Sequence, residues 1–220
     1  MVALGWLGVA GCYEVPGTAD PGVLPSEAPP PDDTLDLTYP AGPYGVSVGS
    51  VLTNYEFVGF PSPEVDTSLV PMRLGDFYNP TGDGVYPEGS PYGAGKPMPK
   101  AIVVVVSAVW CAPCNYEADQ ILPGKLVEYE PMGADFFMQL IDGPNPGTPA
   151  TETHLAKWTN KYDVDYPATL DPSYQLQALL TGTSFPASLI IDTRTMTLRL
   201  ARTAGVDESF WAELEAVLAE

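Results

Sequence analysis

From Ala101 to Val109 the chain reads AIVVVVSAV, a continuous apolar run rich in β-branched residues. Polar residues do not alternate through it, so neither face of this strand meets water. That is the pattern of a strand buried on both faces in a mainly parallel sheet. Such a strand needs a layer above and a layer below, which demands an α/β architecture. Trp110-Cys111-Ala112-Pro113-Cys114 follows at once, and Asn115 to Leu122 continues at helical spacing until Pro123-Gly124 interrupts it. Lys125 to Tyr129 resumes the helix after a kink.

The segments around this unit complete the architecture. Val46, Val48, Val51, Tyr55, Phe57 and Val58 sit in β-rich runs, and Leu69 to Phe77 reads as another short strand. Ala134 to Ile141 is a second core strand. Thr151 to Tyr162 is a helix with Leu155, Trp158 and Tyr162 on one face, and Tyr174 to Leu180 is a short helix. Ala187 to Ile191 is a strand, paired across Asp192-Thr193-Arg194-Thr195 with Met196 to Ala201. Asp207 caps a terminal helix running to Ala219, whose Phe210, Leu214, Val217 and Leu218 face inward. Tyr78 to Lys100 is dense in Gly and Pro and lacks periodicity, which reads as a mobile surface insertion.

Charge divides the chain. Of its 220 residues, 28 are Asp or Glu and 9 are Lys or Arg, a net charge of -19. No basic face can be assembled from so few cations, which excludes nucleic acid as a partner. Residues 1–72 hold nine acids and no base, and Pro16 to Pro43 is proline-rich. A segment of that composition cannot bury enough apolar surface to offset its ordering entropy, so residues 13–43 read as a semi-extended tether. The folded domain is expected over 44–220.

Met1 to Gly11 is apolar and uncharged, too short to span a bilayer but suited to the core of a signal peptide. It ends in Val9-Ala10-Gly11-Cys12, which resembles the lipobox of bacterial lipoproteins. The resemblance implies that residues 1–11 are removed and that Cys12, the start of a 12–43 tether, carries the lipid. No Lys or Arg precedes the apolar run, a departure that an upstream start would explain. Tyr13 in place of Asp leans towards the outer membrane. The expected location is therefore outside the cytoplasm, facing the periplasm, with the membrane engaged through a lipid anchor only.

The chemistry sits in C-x-x-C. A helix start presents unpaired N–H groups and partial positive charge, both of which favour a thiolate. Cys111 is expected at the exposed tip, and Cys114, one turn on, points inward yet can still reach it. Pro113 fits the first turn, where its missing N–H costs nothing. Trp110, beside an exposed thiol, either caps the core or contacts substrate.

With the preceding valine strand and the later Ser184-Phe185-Pro186 before a β-hairpin, W-C-x-P-C resembles the thioredoxin fold. Glu117, three residues after Cys114, matches the C-x-x-C-x-x-E pattern of TlpA-like, membrane-tethered thiol-disulfide oxidoreductases. The resemblance covers residues 101–220 well and the N-terminal β region loosely. It implies a three-layer sandwich around a central mixed sheet with an N-terminal β extension. It also implies a catalytic set of Cys111, Cys114 and Glu117, with Trp110, Phe185 and Pro186 touching substrate and Pro186 cis. Partners would then be protein thiols and disulfides plus a further redox partner, with the chain acting as a monomer. Phe185 departs from the usual Thr or Val, which leaves substrate choice open.

Neither a metal nor a cofactor is expected. A zinc site needs about four ligands, and beyond the pair only His154 and Cys12 remain. His154 is expected on the exposed side of its helix. Asp163, Asp165 and Asp171 lack EF-hand spacing and are assigned to solvent. A peroxiredoxin would need Thr or Ser where Ala108 stands, and copper-delivery relatives space their cysteines C-x-x-x-C. The competing reading of the pair is a fixed bridge in an exported, non-catalytic binding module.

Overall fold

A computed structural model describes residues 39–220 apart from 181 and 183. Cys12, the expected signal peptide and most of the expected tether lie outside the described residues.

The valine run becomes β3 (Ala101–Ala108), every residue of it buried. It pairs in parallel with β4 (Ala134–Asp142) on one side and antiparallel with β6 (Ala187–Asp192) on the other. Its burial follows from having neighbours on both edges and layers on both faces. β7 (Thr197–Thr203) closes the C-terminal hairpin. At the other side stand β5 (Ala168–Leu170), β1 (Glu56–Phe60) and β2 (Val70–Arg73), giving the order β2-β1-β5-β4-β3-β6-β7 among the described residues. Gly59 permits the β1–β5 contact, since a Cβ there would stand 2.1 Å from the Ala168 carbonyl oxygen.

β4 alternates between the two outer layers. Phe136 packs towards Trp211 of α4 (Glu208–Ala219), which stacks on Tyr129 of α2 (Leu122–Tyr129). Phe137 faces the other way, against Phe57 and Phe77. Aromatic side chains of this size dominate the burial term, each contributing about 2–3 kcal/mol. Asp207 caps α4 as expected, accepting from the Ser209 and Phe210 N–H groups.

Three sequence expectations need revision. Residues 44–51 make isolated bridges, not a strand, and Val46 and Val48 are exposed. Leu69 to Phe77 divides into β2 and a 3-10 turn, Leu74–Phe77. The short helix expected over Tyr174 to Leu180 forms as a 3-10 helix, Gln175–Leu179. The Tyr78–Lys100 stretch is a packed element. Tyr86 stacks on Tyr92 and Tyr92 on Phe77, while Asn79 donates to the carbonyls of Met98 and Pro99. Contacts with the domain also begin before Tyr44: Tyr39 packs on Tyr78 and donates its hydroxyl to the Leu52 carbonyl.

Candidate active site

β3 ends at Ala108, and the chain turns immediately into α1 (Ala112–Tyr116). The turn is held from several sides. Cys111 N–H donates to the Ala108 carbonyl at 3.1 Å, and Val109 N–H donates to the Asp142 carbonyl at 3.0 Å. Asn115 reaches back with its side-chain amide to the carbonyls of Cys111 (2.7 Å) and Val109 (3.2 Å). Its own oxygen accepts from the Tyr162 hydroxyl and from Lys161, at the end of α3 (Glu152–Lys161).

Cys111 is the N-cap of α1 and is joined to Cys114 by a disulfide. Its Sγ accepts from the Cys114 N–H at 3.1 Å, the helix-end interaction that favours a thiolate once the bridge opens. One expectation fails here. Cys111 is 2% exposed and Cys114 1% exposed, so neither sulfur of the bridged pair forms an exposed tip. The bridge folds Cys111 Sγ back over the first helical turn, where it joins the apolar core.

Beyond Tyr116 the helix widens into a π turn, Glu117–Ile121, in which Leu122 N–H bonds back to the Glu117 carbonyl. Pro123 has no N–H to give, and the wider turn carries the helix past it into α2. Glu117 stands at this junction, 4% exposed, with its Oε2 unpartnered. Burial pushes its carboxyl up to about 7. A buried, unpaired acid one turn beyond a cysteine is able to take and return a proton near neutral pH.

Trp110 is half-exposed, and its Nε1–H donates to Asp142 Oδ2 at 2.9 Å. Asp142 closes β4 and is saturated: Gly147 N–H donates to Oδ2 at 2.8 Å and the Tyr174 hydroxyl to Oδ1. Burial raises its pKa, but the bonds from Tyr174, Trp110 and Gly147 outweigh this and hold the carboxyl below the ordinary range. Trp110 also meets Phe185 edge-on at 6.3 Å. Because Val106 pairs with Ala187, the start of β6 lies beside the end of β3, and this brings Phe185-Pro186 to the dithiol turn. The Phe185–Pro186 peptide is cis. Trp110, Cys111, Cys114, Phe185 and Pro186 thus gather at one end of the sheet, and Glu117 follows Cys114 by one helical turn.

No protein-family model and no curated protein matches the sequence. Solved structures do. A Chlorobium tepidum protein named as thiol:disulfide interchange protein DsbE aligns with TM-score 0.55 at 16% identity, over 79% of this chain and 99% of that one. The thioredoxin domain of a thiol-disulfide oxidoreductase from Bacteroides vulgatus aligns with TM-score 0.51 at 13% identity, over 79% and 99%. The chain has the thioredoxin fold. A secreted thiol-disulfide isomerase from Corynebacterium glutamicum, at TM-score 0.51 and 15% identity over 76% and 85%, shares it. The three-layer thioredoxin sandwich with a mixed sheet agrees with the reading of the sequence.

Other residues of the site were not legible in advance. Asp142 and Tyr174 carry no motif; the available hint was that Asp142 terminates an apolar strand, where α/β sheets place their sites. Asp171 is not a solvated acid: it is 1% exposed and its Oδ2 accepts from Leu176 N–H at 3.3 Å. It directly follows β5 and caps the turn into the 3-10 segment. Asp163 and Asp165 are exposed as expected. His154 is half-buried, and its Nδ1 accepts from the Thr151 N–H at the start of α3.

Proposed function

We propose that the protein is a thiol-disulfide oxidoreductase that exchanges disulfides with protein substrates through Cys111 and Cys114. The carrying observation is the dithiol at a helix start with an unpartnered, buried Glu117 one turn on. In the reducing direction, the Cys111 thiolate attacks a substrate disulfide. A mixed disulfide forms, and one substrate thiolate leaves. Cys114 then loses its proton to Glu117 and attacks Cys111 Sγ, releasing the second substrate thiolate and leaving Cys111–Cys114 oxidised. Two electrons pass to the substrate, and a separate redox partner resets the pair. The oxidising direction is the reverse. Trp110, Phe185 and Pro186 form the surface over which an extended substrate lies, with the chain acting as a monomer.

The burial of both sulfurs favours a second reading, a fixed bridge in a binding module. Equilibration in thiol buffers separates the two. An exchange pair titrates between roughly -270 and -120 mV, whereas a structural bridge lies below about -300 mV.

The site works outside the cytoplasm, anchored by lipid on Cys12 and spaced from the membrane by the acidic tether. Neighbouring names such as a secreted isomerase agree with export. Cys12→Ala should release the protein from membranes and leave residues 1–11 uncleaved by the lipoprotein route. Membrane retention of that variant would contradict the anchor.

A further inference from the structure

Beside the dithiol turn lies a cavity of about 380 Å³ that the exchange chemistry above does not use. Val106, Leu176 and Phe185 give it apolar walls, and Phe185 is also the ring that meets Trp110. Its polar lining is unusual. Gln139, 0% exposed in the middle of β4, leaves both its amide nitrogen and its amide oxygen without a partner. Asp171, 1% exposed, leaves Oδ1 unpartnered. Asp142 also lines the cavity, its oxygens already taken by Trp110, Gly147 and Tyr174. Two carboxyl groups line this space, and among the described residues none of its lining is basic.

Unpartnered buried polar atoms carry a desolvation cost that a ligand group can relieve. Here the unfilled positions are two acceptors, Asp171 Oδ1 and Gln139 Oε1, and one donor, Gln139 Nε2, in a site with two carboxyl groups and no base among the described residues. We infer that the cavity is a specificity pocket for a basic side chain, lysine or arginine, of the substrate protein, seated close to the cysteine under exchange. The alkyl stem would cover the apolar walls while the cationic head donates to Asp171 and Gln139. A chain carrying -19 attracts basic partners in general, and the pocket would give that attraction one fixed register. The inference rests on the exchange reading.

The test uses the oxidised full chain and an excess of reduced single-cysteine peptides: one peptide thiolate opens the Cys111–Cys114 bridge as a mixed disulfide on Cys111, a second displaces it as a peptide disulfide, and the rate at which the reduced pair appears is the readout. Lysine, glutamine or norleucine is placed at each of four positions on either side of the peptide cysteine. The lysine peptide should react about tenfold faster than the norleucine one at one or two adjacent positions only. Asp171→Asn should bring that ratio to within twofold, while Asp119→Asn, removing an exposed acid of the helix that follows the dithiol, should leave it intact. Rates with dithiothreitol should stay the same in Asp119→Asn.

An equal lysine advantage at every position would mean diffuse attraction and would overturn the pocket, as would glutamine or norleucine matching lysine. These rankings come from the unmutated protein, so they stand even if Asp171→Asn fails to fold. A ratio unchanged in a folded Asp171→Asn overturns it as well. If dithiothreitol opens the bridge but no peptide of any composition does, the exchange reading falls, and the pocket with it.

Discussion

Two buried carboxylates flank the dithiol turn and have opposite surroundings. Asp142, beside the turn, accepts three hydrogen bonds and is held ionised. Glu117, beyond it, has an oxygen with no partner and holds its proton up to about pH 7. Burial acts on both in the same direction; the hydrogen bonds decide the outcome. The contrast assigns their work: a saturated acid fixes geometry, here the Trp110 ring, while an unsaturated one is free to titrate. Both lie within one strand end and one helical turn of the bridge.

The largest expected effect breaks the comparison at Glu117. Its folded pKa, about 7, lies above the ordinary 4.5, so the folded state binds the extra proton. The stability it confers is complete below pH 4.5 and is lost as pH rises through about 7, at about 1.4 kcal/mol per unit. Glu117→Gln should therefore gain about 3 kcal/mol on the unmodified chain between pH 4 and pH 8, read by urea unfolding. Asp135, also pushed up to about 7 by burial, slopes the same way in both proteins and cancels in the difference.

Kinetics come next. Glu117→Gln should slow resolution of a mixed disulfide by about a hundredfold, with the first attack by Cys111 unchanged, in rapid-mixing experiments near neutral pH. Equal slowing of both steps would remove Glu117 from the proton path. On the other side of the turn, Asp142→Ala strands three donors. It should cost about 2 kcal/mol and change Trp110 fluorescence, with the Glu117 pH slope intact. Tyr174→Phe removes one of those donors and should cost about 1 kcal/mol in a thermal melt.

The sequence exposed one of these carboxylates and hid the other. Glu117 stood in register with the cysteines and was legible through its motif, although its burial was not, since that depends on the path of the helix past Pro123. Asp142 has partners 32 positions away at Trp110 and Tyr174, and no local pattern encodes such a meeting. The same division runs through the fold. β3 declares itself by an unbroken apolar run, and the C-terminal hairpin and α4 by apolar patterning and, for α4, its cap. β5 is three residues long and exists because β1 and β4 pair with it from either side. The Tyr78–Lys100 stretch reads as loose because its glycines and prolines hide the spacing of Tyr86, Tyr92 and Met98, which are buried only once Phe77 and its neighbours are in place.

Capture by the resolving-cysteine variant bears most directly on the central claim. Cys114→Ser, mixed with a disulfide-bonded protein substrate, should accumulate a covalent complex that dithiothreitol releases and peptide mapping places on Cys111. Cys111→Ser should capture nothing. No complex with Cys114→Ser, or one mapped to Cys114 in Cys111→Ser, would contradict Cys111 as the attacking thiol.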